Sequence, residues 1–408
     1  MPLIPEIPQV TLLPHLRGAA VAAVRTAQPV QDKMIKKERL IKLARDLIRI
    51  DSQNPPGDEY RIAVFVRDYL QGLGLEARIH EFKKKRSNVI AVLKAKNRKR
   101  SLLITPHLDT VPGGRHWHFK PLGAEVHNRK IYGLGATDCK GNLAAAIESI
   151  NSIVEEGISL GYNLIFAATA DEETGSGFGL LPLLAKRILR PDVAVVLDAD
   201  NFHIVVAQKG LIHLKVKIKG RRAHGAYPWL GENAIDVALK ILQEIKRYRP
   251  GSIKNKYLRP PTVNIGTIHG GDKVNVVADW CEFELDFRFL PGMSAKNILK
   301  DLKTIIRRHT RKSKVEVQGI QQPYVIDTAH PLIGHLCRAI KRSGIQPVIK
   351  GSEGATAISF FDERGIAAVA TGFGCAGCAH SADEYVRIAD LYRGALALED
   401  FLKNYKFS

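Results

Sequence analysis

The sequence predicts an α/β protein, a sheet packed by helices, with a smaller α+β domain inserted into it. Three observations carry that prediction. Short apolar runs alternate with helix-period segments along most of the chain, a stretch at about 211–321 switches to strict period-two alternation, and the first texture resumes near Gln322. The size agrees: at roughly 150 residues per domain, 408 residues imply two or three domains. A composition of 45% hydrophobic and 25% charged residues supplies ample core and excludes disorder or low-complexity repeats as the main character.

The elements follow in order. Residues 1–35 hold five prolines (Pro2, Pro5, Pro8, Pro14, Pro29) and no sustained periodicity, and are expected to form a poorly ordered extension. A helical pattern begins near Met34 and runs through Leu40, Leu43, Ala44 and Leu47. The turn Asn54-Pro55-Pro56-Gly57 separates it from a second helix over 62–70. Strand-like runs then occur at 89–93, 102–105, 164–169, 193–197 and 366–370, with a helix over 143–154 among them. Inside the insert, Ile212-His213-Leu214-Lys215-Val216-Lys217-Ile218 and Cys281-Glu282-Phe283-Glu284-Leu285-Asp286-Phe287 alternate strictly, the mark of strands with one wet face. Helices over 233–248 and 295–309 accompany them. The expected division is 36–210 and 322–408 for the larger domain, with 211–321 as the insert.

Charge is the unusual quantity. With 61 Lys+Arg against 41 Asp+Glu the net charge is +20, which suggests anionic partners without naming them. Runs such as Lys83-Lys84-Lys85-Arg86, Arg98-Lys99-Arg100 and 307–314 could follow a phosphate backbone. Aromatic content of only 7% leaves few platforms for stacking bases, so these runs are expected to be solvated surface and nucleic acid is not the expected partner. No apolar stretch approaches the ~20 residues of a bilayer crossing; the segment 10–27 is broken by Pro14, His15, Arg17 and Arg25. A soluble protein is expected. Five cysteines, an odd number without a secretory signal, point to a reducing compartment and a cytoplasmic location.

Acidic and imidazole side chains fall just beyond the predicted strands. The run 102–105 ends in Pro106-His107-Leu108-Asp109, 164–170 in Asp171-Glu172-Glu173, 193–197 in Asp198, and 366–370 in a glycine-rich loop that reaches His380. In open α/β sheets this carboxyl edge is where ligands bind. Asp138, just ahead of the 143–154 helix, is placed to join them. Two imidazoles and several carboxylates suit a divalent ion such as zinc, and this many acids leave room for two. In His107-Leu108-Asp109 the i, i+2 spacing lets Asp109 take one imidazole N–H while the other nitrogen binds metal. If extended, Glu172 and Glu173 point apart, one toward metal and one toward a water as general base. A lone His-x-Asp is usually structural and an acidic pair at a strand end is most often a cap or solvated turn; the weight rests on the joint placement at four strand ends.

Five motifs in order now carry a resemblance: 106–112 (PHLDTVP), 133–141 (GLGATDCKG), 170–176 (ADEETGS), 223–228 (AHGAYP) and 379–384 (AHSADE). Over about 36–408 the chain resembles the co-catalytic zinc amidohydrolases that include acetylornithine deacetylase, succinyl-diaminopimelate desuccinylase, aminoacylase and glutamate carboxypeptidase. The resemblance implies a catalytic domain with a central mixed β-sheet flanked by helices, plus an inserted dimerisation (lid) domain. It further implies two divalent metal ions, zinc (Zn2+) first with cobalt or manganese as alternatives. His107 and Asp198 would complete one site, Glu173 and His380 the other, and Asp138 would bridge both. Glu172 would be the general base and Asp109 the partner of His107. His224 would reach the partner subunit's site to stabilise an oxyanion, which implies a homodimer, and Lys209, Asn275 and Arg288 match positions that grip substrate. The implied substrate is a small carboxylate-bearing N-acyl amino acid; a carboxypeptidase or dipeptidase is the alternative, and a non-catalytic nucleic-acid-binding or scaffold protein the different-class one.

Three positions depart from the family pattern. Asp198 stands where many members have glutamate, Cys139 replaces a commoner methionine as a neutral packing change, and Ala357 follows Thr356 where aspartate is frequent. Cys375-Ala376-Gly377-Cys378 is expected to be a plain loop, and Gly175, Gly177 and Gly179 lack the lysine of a phosphate loop. His116 and His118 are expected at the surface, and His203, His213, His269 and His309 have no evident convergent acidic neighbours.

Overall fold

The computed structural model describes residues 35–96, 99–198, 201–251 and 253–407, so the expected extension at 1–35 lies outside them but for Ile35. The chain enters through α1 (Lys37–Arg49) and α2 (Tyr60–Gly72). Leu40, Leu43, Ala44, Leu47 and Ile48 of α1 recur at helical spacing and all are buried, so one stripe of the helix seats on the core. β1 (Glu76–Lys83), β2 (Arg86–Leu93) and β3 (Ser101–Thr105) begin the sheet, and β4 (Glu125–His127) and β5 (Lys130–Tyr132) form a small surface hairpin. Next come α3 (Lys140–Glu155), β6 (Asn163–Ala168), α4 (Leu180–Ala185), β7 (Val193–Leu197) and β8 (His203–Gln208).

A second texture follows: β9 (Gly210–Lys219), α5 (Ala234–Arg247), β10 (Thr262–Gly270), β11 (Trp280–Phe289), α6 (Ala295–His309) and β12 (Ser313–Gln321). The chain then returns with β13 (Tyr324–Val325), α7 (Pro331–Arg342), β14 (Val348–Ser352), α8 (Ile358–Asp362), β15 (Ala367–Thr371), β16 (Tyr385–Arg387) and α9 (Ile388–Asn404). Capping explains two helix starts: the Asn233 side chain accepts the Ile235 and Asp236 N–H groups ahead of α5, and Ser294 accepts that of Asn297 ahead of α6.

The large sheet runs β1-β2-β6-β3-β7-β15-β8-β13, with β14 beside β8. Its centre, β6-β3-β7-β15, is parallel, while β1-β2, β2-β6 and β8-β13 are antiparallel, so the sheet is mixed. Helices cover it, and every residue of β7 is buried, as expected of a strand covered on both faces. Because the central strands are parallel, Thr105, Ala168, Leu197 and Thr371 all end at the same edge.

The second sheet, β10-β11-β9-β12, is antiparallel throughout. Ile212, Leu214, Val216 and Ile218 of β9 and Phe283, Leu285 and Phe287 of β11 pack with Ile241 and Ile245 of α5 and Ile298 and Leu302 of α6 in a hydrophobic cluster of their own. Period two then puts His213, Lys215, Asp286 and Arg288 on the opposite face. Among the described residues no helix is long and apolar enough to cross a membrane.

Candidate active site

His107 follows β3 directly. Its Nδ1 lies 3.0 Å from the Asp109 carbonyl oxygen and 3.6 Å from the Asp109 carboxylate. A carbonyl only accepts, so a proton sits on Nδ1, and Nε2 is the nitrogen that would turn its lone pair to an ion. That Nε2 faces Asp138 Oδ1 at 2.9 Å and Asp198 Oδ1 at 3.6 Å. Cys139 is more than the neutral packing change expected of it: its sulfur accepts the His107 N–H at 3.0 Å and so fixes the backbone that carries the imidazole.

Asp138 occupies the turn before α3. The buried carboxylate of Glu384 holds that turn by accepting the N–H groups of Gly135, Thr137 and Asp138 at 3.0, 2.7 and 2.9 Å. Burial pushes Glu384 up to about 7, against the pull of those three donors. Glu384 closes the last sequence motif, yet nothing in the motif itself assigns it this role.

The acidic pair does not sit on extended chain. Asp171 is left-handed (φ 65°), and Glu172–Thr174 is a 3₁₀ turn. Successive side chains therefore diverge by about 120° rather than the ~180° of a strand. The cause is local: Asp109 uses its carboxylate to accept the N–H groups of both Glu172 and Glu173 at 3.1 Å, while Asp171 is gripped by Arg86 at 2.7 Å and Asn54 at 3.3 Å. Arg86, expected as the end of a solvated basic run, is buried between Glu59 and Asp171. Burial raises Glu59, and the Arg86 hydrogen bond opposes that shift.

His380 arrives from the loop after β15, and its Nε2 lies 3.3 Å from Asp138 Oδ2 and 3.2 Å from Glu173. Asp138 thus stands between the imidazoles, one oxygen toward each. Ligand atoms of His107, Asp138 and Glu173 lie within 4.8 Å of one another, as do those of His107, Glu172 and Asp198. Among the described residues Asp138, Glu173 and Asp198 pair with imidazoles, and none of the four acids pairs with a lysine or arginine. Hydrogen bonds to Asp138 and Glu173 raise His380 to about 10. Burial, then the Asp198 charge, drives Glu172 well above the usual carboxylate range. Burial likewise lifts Asp198 to about 6, with Asp138 repelling it and His107 opposing the rise. Crowded acids of this kind call for countercharge, and nitrogen with carboxylate oxygen is the donor chemistry that divalent zinc, cobalt or manganese accepts, so the residues fit a pair of such ions.

A cavity of about 860 Å³ opens from this cluster, lined by Asp138, Glu172, Glu173, Asp198 and His380 on one side and by Leu211, His213, Arg288 and Gln318 of the second sheet on the other. Of the three substrate-gripping positions implied by the resemblance, Arg288 lines it. Lys209 is buried, with its ammonium held by Glu353 at 2.5 Å and the Pro260 carbonyl at 2.7 Å. Asn275 backs the exposed loop that carries His224; Gly225 donates to its carbonyl, and a Cβ at Gly225 would come within 2.8 Å of Asn275 backbone. His224 accepts the Ala226 N–H through Nδ1, which leaves Nε2 as a donor, and His224 is not among the residues that line this cavity.

Two of the four unassigned histidines do meet acids: His213 faces Asp286 at 3.7 Å across neighbouring strands, and His309 bonds Glu244 at 2.7 Å between α6 and α5. Both contacts pair positions distant in sequence and invisible to local spacing. His118 is at the surface as expected, paired with Asp383 at 2.6 Å.

This fold and this cluster define a metallohydrolase of amide or peptide bonds. The chain belongs to Peptidase family M20/M25/M40, which its residues 103–404 match. It is 30% identical to the acetylornithine deacetylase of Vibrio cholerae over 296 residues, 69% of this chain and 76% of that one. Among solved structures it is similar to an M20 family metallo-carboxypeptidase from Sulfolobus solfataricus (TM-score 0.77, 21% identity, 90% of this chain and 99% of that one). A tripeptidase from Staphylococcus aureus is similar too (TM-score 0.76, 26% identity, 91% and 99%).

Proposed function

We propose that the chain is a deacylase that removes the acyl group from a small carboxylate-bearing N-acyl amino acid. The observation that supports this most is Asp138, set with one oxygen toward His107 and the other toward His380, with Glu172 beside them. His107 and Asp198 would hold one divalent ion, His380 and Glu173 a second, and Asp138 both. Bound there, such ions would lower the pKa of a water and polarise an amide carbonyl. Glu172 takes the proton from the attacking water and returns it to the departing amine. Arg288 draws the substrate carboxylate to the cavity wall. His224 of the partner subunit, in a homodimer built on the second sheet, donates Nε2–H to the oxyanion.

Peptidase action is the second reading, favoured by the names of the structural neighbours. A non-catalytic scaffold would have no use for a complete donor set, which counts against it. The test is Glu172→Gln. Two equivalents of metal per chain should remain by elemental analysis while kcat falls by about 10²- to 10⁴-fold on whichever N-acyl amino acid or dipeptide is turned over. Near-normal turnover in that variant overturns the assigned base, and no turnover of any amide by the metal-loaded wild type overturns the function.

A further inference from the structure

Resting on that reading, we infer that the substrate's side chain carries no positive charge: the cavity accepts an N-acyl amino acid or dipeptide whose carboxylate-bearing residue has an uncharged, mainly apolar side chain. Away from the metal cluster its walls are Leu181, Leu211, Ile320 and Phe360, with Ala355 and Ala357 between them. Besides His213 and Arg288, the polar side chains of the lining outside the cluster are amides and hydroxyls. Gln321 spends its NH₂ on the Thr356 carbonyl at 2.7 Å and the Ser359 hydroxyl at 2.9 Å, and Gln318 turns its own to Glu284 at 3.3 Å.

Among the described lining residues outside the cluster, His213 and Arg288 are the ionisable ones, and neither is an acid. Asp286, the acid that backs this wall, is taken: Arg288 grips it through Nε and Nη2 at 2.7 and 2.9 Å. A two-point grip of that kind fixes the guanidinium and leaves Nη1 for a substrate carboxylate. The smaller neighbouring cavity, which shares Asp138, Asp198 and Thr356, contains Lys350 and Glu353, and Glu353 is held by Lys209 and by the Arg259 N–H at 3.0 Å.

An ammonium group on the substrate side chain would leave water, approach Arg288 and, among the described residues, find besides the acids that would hold the ions only Asp286, Glu284 and Glu353, each already paired with a cation, so its charge would be buried without a partner of its own. A methyl group in the same place meets the leucine, isoleucine and phenylalanine walls and gains by burial. The prediction parts from the named preference of the Vibrio relative, because an ornithine side chain ends in an ammonium.

Isosteric pairs test it. The metal-loaded full chain is given N-acetylnorleucine against N-acetylornithine, and glycyl-norleucine against glycyl-ornithine, so that methyl replaces ammonium at constant shape. In whichever pair is hydrolysed, the norleucine member should be favoured at least tenfold in kcat/KM. Equal or better hydrolysis of the ornithine member overturns the inference while leaving the proposed function standing; hydrolysis of neither pair, nor of any other amide, overturns both. Ala355→Asp adds an acid to the wall and should shift the ratio toward ornithine by about tenfold, with Ala355→Asn as the uncharged control. An active Ala355→Asp variant with an unchanged ratio overturns this wall as the side-chain subsite.

Discussion

Glu172 and Glu173 owe their placement to side chains far away in sequence. Asp109 draws both backbone N–H groups to one carboxylate, and Arg86 reaches across from β2 to clamp Asp171 just ahead of them. Metal-binding residue types at strand ends could be read from the sequence because such chemistry needs particular donors at a particular edge. Their supports could not: Arg86 lies 85 residues from Asp171 and 27 from Glu59, and a charged residue in a basic run gives no local sign of burial. The same limit hid Glu384 under the Asp138 turn and Asp286 behind His213. Arg86→Met tests the clamp. Removing one partner from a buried pair typically costs about 3–5 kcal/mol because the remaining acids stay buried and unpaired. Denaturant unfolding should show a loss of that size, and kcat should fall with little change in KM as the acidic turn loosens. Stability within ~0.5 kcal/mol of wild type, the range of ordinary surface substitutions, would show that the network does not hold the turn.

At the level of elements, legibility followed contrast. The 295–309 helix is found at Ala295–His309, with Ser294 as cap and Arg307, Arg308 and His309 facing the negative end of its dipole. β9 and β11 announced themselves by alternation against a real core. β10 and β12 did not: no residue of either is fully buried, Val263, Ile265 and Val315 pack only at the margin of the second core, and an irregularity after Ile265 and after Val317 cuts each alternation short. α7 was missed behind an unusual cap, His330, whose Nδ1 accepts the Leu332 N–H at 3.2 Å ahead of Pro331. Accepting requires an unprotonated nitrogen, and burial holds the His330 pKa below its ordinary value. The sign follows. A folded-state pKa below the unfolded one means the stabilisation is present above the unfolded value, near 6.5, and is lost as pH falls through the folded value. His335 on the same helix, edge-on to Tyr405 of the C-terminal segment, is depressed by burial as well and adds to the loss. Between pH 7 and 5 these two imidazoles should therefore withdraw stability, against the opposite contribution of Glu384 and Asp198, and His330→Ser, which caps without titrating, should gain about 1 kcal/mol on wild type, the worth of a cap, as the pH falls across that window. Identical pH slopes of the melting temperature in variant and wild type would remove His330 from the account.

Considered whole, the molecule places its chemistry on one sheet edge and its uncovered surface on the second sheet. β10 is an edge strand with Ile268 exposed, Trp280 is exposed at the start of the adjoining β11, and the His224 loop bears exposed Tyr227, Trp229 and Leu230. An edge with unpaired backbone groups and apolar side chains is a template for a second strand. A two-fold dimer built there would make each protomer contribute the same patch, and it could carry His224 to its partner's cavity, which its own subunit's lining does not include. Light scattering should then give about twice 45.1 kDa. The sharper test mixes two inactive variants. Glu172→Gln lacks the proposed base but keeps His224, and His224→Ala lacks the proposed oxyanion donor but keeps Glu172. If His224 serves its own subunit, every site in a mixed dimer lacks one group and activity stays absent. If it serves the partner's, one site of each mixed dimer contains both groups. Random exchange makes half the dimers mixed, so unfolding and refolding the two variants together should restore about a quarter of wild-type activity from two preparations that show almost none alone.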